Sequence, residues 1–104
     1  MNADVVDRAF SRLCERMRKR GVLDLVEAIA RYHGVALIPV FSLEPEVEEV
    51  SRDVAVALYR QGIALTTLSN WFDADWEEIS KLVRGDREQT LRLRTILASM
   101  EKAS

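Results

Sequence analysis

Thr66, Thr67, Ser80, Lys81 and Arg84 carry the hydroxyl, ammonium and guanidinium donors that hold phosphate oxygens, and all five fall in one short stretch of the chain. Thr66 and Thr67 open one short helix, beside its N-terminal amides. Ser80, Lys81 and Arg84 come late in a second, where a helix laid on duplex DNA touches backbone more than base edges. A further basic set, Arg8, Arg12, Arg16 and Arg20, recurs every four residues and draws a stripe along an N-terminal helix. Such a stripe is a solvated face, a phosphate-tracking arm, or a surface that meets the acidic groups of a second copy.

The other reactive side chains are few. Cys14 is the one cysteine and His33 the one histidine, so neither an internal disulfide nor a His/Cys metal cluster can form. Cys14 lies on or beside an apolar helix face and reads as a small core residue. His33 precedes a helix-ending glycine and reads as structural, bonding the last carbonyls or favouring the helix dipole. Glu46, Glu48, Glu49, Asp73, Asp75, Glu77 and Glu78 supply acids but no supporting constellation, and charge at helix starts accounts for most of them. There is no phosphate-cradling glycine loop, nucleophile elbow or metal spacing. The expectation is a non-enzyme without cofactor or metal.

The elements that must position these residues fit one soluble domain spanning residues 1–104, with 48% hydrophobic and 31% charged residues. No apolar run approaches the ~18 residues of a membrane span. Charged Asp4, Asp7 and Arg8 stand where a signal peptide would be apolar, so a cytoplasmic protein with no membrane partner is expected. A net charge of −2 conceals a segregation: residues 1–20 carry +3, 21–41 carry −1, 42–80 carry −7 and 81–104 carry +3. Basic ends flank an acidic middle.

Apolar periodicity predicts about six helices. Val6, Phe10, Leu13 and Met17 stripe one from Ala3 to Arg20, ended by Gly21. Leu23, Val26, Ile29 and Ala30 stripe a second that stops at Gly34. Val35 to Leu43, broken by Pro39, is a connector: a buried extended segment, a lone strand or an irregular turn. Pro45 suits the first position of a third helix, whose buried face is Val47, Val50, Val54, Ala57 and Leu58. Leu65 to Phe72 is the fourth. Asp75 and Glu78 have capping-box spacing for a fifth that runs to Arg84. Asp86 and Gln89 repeat it for a sixth, striped by Leu93, Ile96, Leu97 and Met100.

Residues 64–84 fit a helix-turn-helix. Leu68 and Phe72 face the core from its first helix, Ser69 is small where the second helix crosses, Ala74 is the buried turn residue, and Ile79 and Leu82 face inward from the second. Asp73 stands where such motifs usually have glycine to enter the left-handed region. Trp71 and Trp76 flank the turn, one for the core and one partly exposed.

With these stand Ile29-Ala-Arg-Tyr-His-Gly-Val35, Val50 through Arg60, and Gly62-Ile-Ala-Leu65. Over residues 23–85 the pattern resembles the C-terminal duplex-binding domain of the bacterial replication initiator DnaA, whose helix-turn-helix is related to that of the Trp repressor. The resemblance implies an all-α bundle of that type that binds duplex DNA, and with the fit of residues 64–84 the leading expectation is a DNA-binding regulator of transcription or replication, acting as a dimer. At the start of the recognition helix that family has Asp-His-Thr-Thr-Val; here Asp75-Trp76-Glu77-Glu78-Ile79 keeps only the cap and the core residue. The family's basic loop corresponds to Glu44 through Glu49, and of its cations Arg52 remains. Each carboxylate near a phosphate repels it by about 0.6 kcal/mol at ~7 Å in bulk water.

Two readings follow. In the first, Arg52, Thr66, Thr67, Trp76, Ser80, Lys81 and Arg84 face duplex DNA. In the second, the scaffold has become an acidic protein-interaction module in which Glu46, Glu49, Trp76, Glu77 and Glu78 hold a basic protein partner.

Overall fold

Six α-helices make up the computed structural model, which describes residues 3–41 and 45–103, with side chains for 8–37, 40–41 and 45–101. They are α1 (Ala3–Arg20), α2 (Leu23–His33), α3 (Glu48–Arg60), α4 (Leu65–Phe72), α5 (Trp76–Leu82) and α6 (Arg87–Ala103). No strand occurs among the described residues, so the all-α architecture matches the expectation from periodicity. Glu44 and the Val6 side chain lie outside the described residues.

The bundle is organised around α3, which packs against α2, α4, α5 and α6. Its sequence alternates small and β-branched residues, and from Val50 to Leu58 only Arg52 is exposed. A helix covered all round must satisfy any polar side chain internally, and α3 carries two, Ser51 and Asp53, each without exposed surface. Ser51 donates to the Val40 carbonyl at 2.5 Å. Met17, Ile29, Leu58, Leu68 and Ile79 bring α1, α2, α4 and α5 into the same core, each with no exposed surface.

Helix ends follow from local chemistry. Gly34 takes φ 69°, and the bonds Gly34 N–H to Arg31 O and Val35 N–H to Ala30 O, both 3.0 Å, close α2 in a Schellman turn. The 35–43 connector is neither strand nor extended segment where described. Ile38–Phe41 form a 3-10 turn that buries Val40 and Phe41, and the Phe41 ring packs on Phe72 at 4.8 Å. Pro45 opens a separate 3-10 turn, Pro45–Val47, and α3 starts only at Glu48.

Three local expectations need correction. The Asp75 side chain makes no cap bond to α5, which ends at Leu82 rather than Arg84. Asp86 does accept from the Gln89 N–H at 2.8 Å, but the Gln89 side chain does not reach back, because it is buried and bonds Asp53 instead. Leu97 is 40% exposed although it borders the stripe of Leu93 and Ile96, each 3% exposed. The neighbours of α6 are α2 and α3, so only one side of it is covered.

Candidate nucleic-acid interface

The stretch that carries the residues expected to contact phosphate folds as α4, a tight turn and α5, with Arg84 in the turn beyond. Leu68, Trp71 and Phe72 are buried from α4, and Ile79 and Leu82 from α5. Asp73 joins the helices at φ 50° and ψ 51°, the one non-glycine residue with positive φ among the described residues. Its N–H bonds Asn70 O at 3.2 Å, and Ala74 N–H bonds Ser69 O at 3.0 Å, which is again a Schellman closure. The Ser69 hydroxyl also donates to the Ala74 carbonyl, so its small size serves a bond to the turn as well as close packing. Ala74 is half-buried.

The side chains of α5 divide by helical angle. With Ile79 and Leu82 inward, Glu77 points most directly outward on α5, flanked by Ser80 and Lys81, and Arg84 follows in the turn beyond the helix. Lys81, Arg84 and Glu77 are exposed and Ser80 is half-buried. Trp71 is 8% exposed and Trp76 61%, so the first is the core tryptophan and the second the surface one. Among the described residues no ion pair engages Lys81, Arg84, Glu77 or Glu78.

Other expected contact residues lie elsewhere. Thr66 is exposed, but with Ser69, Asn70 and Ala74 it lines a groove that also holds Asp73, Asp75 and Glu78, and Thr67 is half-buried. Arg52 pairs with Glu48 at 3.1 Å, one turn back on α3. It lines a different groove, with Glu49, Asp86, Glu88 and Arg92. Of the residues expected at a protein interface, Glu46 is exposed on the Pro45–Val47 turn, and Glu49 accepts from Arg92 at 3.1 Å. Trp76, Glu77 and Glu78 belong to α5, so the acidic candidates form two separate groups.

Sequence reasoning missed a polar junction where α2, α3 and α6 meet. Asp53, with no exposed surface, accepts from Arg92 Nε at 2.6 Å and Nη2 at 2.7 Å, from His33 Nε2 at 2.7 Å and from Gln89 Nε2 at 2.8 Å. Burial pushes the Asp53 carboxyl up, but the bonds from Arg92, His33 and Gln89 outweigh it and hold it below the ordinary aspartate range. The same bonds raise Arg92 further above the usual guanidinium range. His33 therefore does not bond the last carbonyls of α2; its ring turns to Asp53, with Tyr32 edge-on at 5.5 Å. The signal was present in the sequence: Asp53 is three residues after Val50 and four before Ala57, on the apolar face of α3. An acid in that place requires a buried cation.

Comparison with known proteins finds no matching family model, no matching curated protein and no matching solved structure.

Proposed function

We propose that α4, the turn and α5 are a helix-turn-helix and that the protein is a DNA-binding regulator of transcription or replication, of the kind the DnaA-like pattern implies. One observation carries the reading. Asp73 takes the left-handed conformation between two short helices whose inward residues are Leu68, Phe72, Ile79 and Leu82, and Lys81 and Arg84 are left exposed with no ionic partner among the described residues. In such a motif the second helix meets the groove and late side chains hold the backbone. Glu77 on the same face can accept from a cytosine amino group, while repelling phosphate. A dimer would set two copies of α5 about 34 Å apart, on successive turns of one duplex face.

The test is fluorescence anisotropy on a mixed duplex pool at ~50 mM and ~200 mM salt, where phosphate contacts produce a steep loss of affinity. Lys81→Ala with Arg84→Ala should weaken binding on all sequences and flatten the salt dependence by about one per lost contact. Unchanged affinity in that variant rejects the placement of α5.

The second reading has its own support in Trp76, an aromatic side chain 61% exposed beside Glu77 and Glu78, a composition suited to a basic protein partner. Glu77→Lys with Glu78→Lys separates the two readings. It raises duplex affinity under the first and abolishes capture of a basic partner under the second.

A further inference from the structure

We infer that the exposed arginine face of α1 tracks the phosphate backbone of the same duplex that α5 meets. The inference rests on the DNA-binding reading and adds to it a second contact surface, on a helix outside residues 64–84.

The face is built by spacing. Arg8, Arg12, Arg16 and Arg20 are all exposed, while Met17 is buried and Leu13 and Cys14 are half-buried on the other side of α1. Steps of four residues set the guanidinium groups about 6 Å apart along the helix axis, over about 18 Å in all. Lys19 lies on the same face by helical angle, and Glu15 is the acid at its edge. Two arginines outside α1 find carboxylates: Arg52 pairs with Glu48, and Arg92 with Asp53 and Glu49. The α1 arginines form no ion pair among the described residues.

Position joins this face to the turn between α4 and α5. Arg16, with Ala9, Phe10 and Leu13, lines a groove whose other wall is Asn70, Trp71 and Asp73. Arg16 therefore brings the stripe to the end of α4, the helix that crosses the DNA backbone when a helix-turn-helix docks. Asp73 shares the groove without pairing to Arg16.

Charge favours a duplex over a second copy as the occupant. The outward face of α5 sets Lys81 against Glu77, with Arg84 in the turn beyond, whereas duplex DNA presents one negative charge per about 1.7 Å of axis. A second copy offers its exposed acids in separate groups rather than along one continuous face, Asp73, Asp75 and Glu78 in the groove beside the turn and Glu46 beside α3, while Asp53 is buried and Glu48 and Glu49 are already paired.

The experiment compares the full chain with Arg12→Gln/Arg16→Gln in anisotropy titrations on a mixed duplex pool across salt, with sedimentation velocity and far-UV circular dichroism on both proteins. The expected result is a salt slope shallower by about 2, at ~0.9 per lost phosphate contact, and a loss of affinity that is uniform across sequences. Arg12→Lys/Arg16→Lys should retain the slope, which separates charge from any change in folding. If the wild type binds and the Gln variant keeps its slope, α1 is off the duplex, and the inference falls while the reading of α5 stands. If the wild type binds no duplex, both fall. Self-association that disappears in the Gln variant with the slope unchanged overturns the inference in favour of a second copy.

Discussion

The junction of α2, α3 and α6 and the α4–turn–α5 pair both gather acids and bases on short helices, and they treat them in opposite ways. At the junction Asp53 has no exposed surface and accepts four hydrogen bonds from Arg92, His33 and Gln89. On α5 and the turn that follows it, Glu77, Lys81 and Arg84 are exposed and have no ionic partner among the described residues. A charge removed from water must be paired and hydrogen-bonded, so the first set is committed to holding helices together. A charge left in water contributes little to stability and remains available to a ligand. The contrast separates architecture from candidate function within one small chain.

The largest expected effect is at the junction. Asp53→Ala leaves the half-buried Arg92 guanidinium with Glu49 alone and strands the His33 and Gln89 donors, and should destabilise the protein by about 3–5 kcal/mol in denaturant titration. That is a large share of the ~5–15 kcal/mol typical of such a chain. A loss below about 1 kcal/mol, the value of an exposed ion pair, would erase the distinction between the two regions.

Acid should act on the same place. The folded-state pKa of Asp53 is depressed, so its contribution is fully present above the ordinary aspartate value and is lost as pH falls through the lowered one. Stability measured from about pH 6 down to about pH 2 should decline more steeply in the wild type than in Asp53→Asn, which has no carboxylate there to protonate. Equal slopes would mean that the bonds to Asp53 do not outweigh its burial.

The smallest effect is at the turn. Asp73 holds a left-handed conformation at φ 50°, which glycine adopts without a Cβ penalty. Asp73→Gly should leave stability unchanged or raise it by up to about 1 kcal/mol, read as a higher melting temperature. A clear loss would show that the Asp73 side chain holds the turn, and that this region too is architectural.

Much of the fold was legible because helix periodicity and helix ends are local. The bounds of α1, α2 and α4 follow from the stripes Phe10, Leu13, Met17 and Leu23, Val26, Ile29, and from the breaks at Gly21, Gly34 and Asp73. The inward positions of residues 64–84 were legible for the same reason. Side-chain partners were not. Asp75 and Gln89 have the spacing of cap residues, yet Asp75 makes no cap bond and Gln89 turns to Asp53, thirty-six positions away. Spacing states what a side chain can reach along its own helix. It is silent on what another helix offers at lower free energy.

By itself, therefore, the sequence determined six helices, most of their inward faces, a left-handed turn at Asp73 and a segregation of charge into basic ends and an acidic middle. Tertiary structure alone decided which charges are free. Asp53 and Glu49 count equally with Glu77 in the net charge, but packing α3 at the centre buries the first and places Arg92 of α6 on the second. Charge and periodicity are properties of residues, whereas pairing and burial belong to the helices that meet around them.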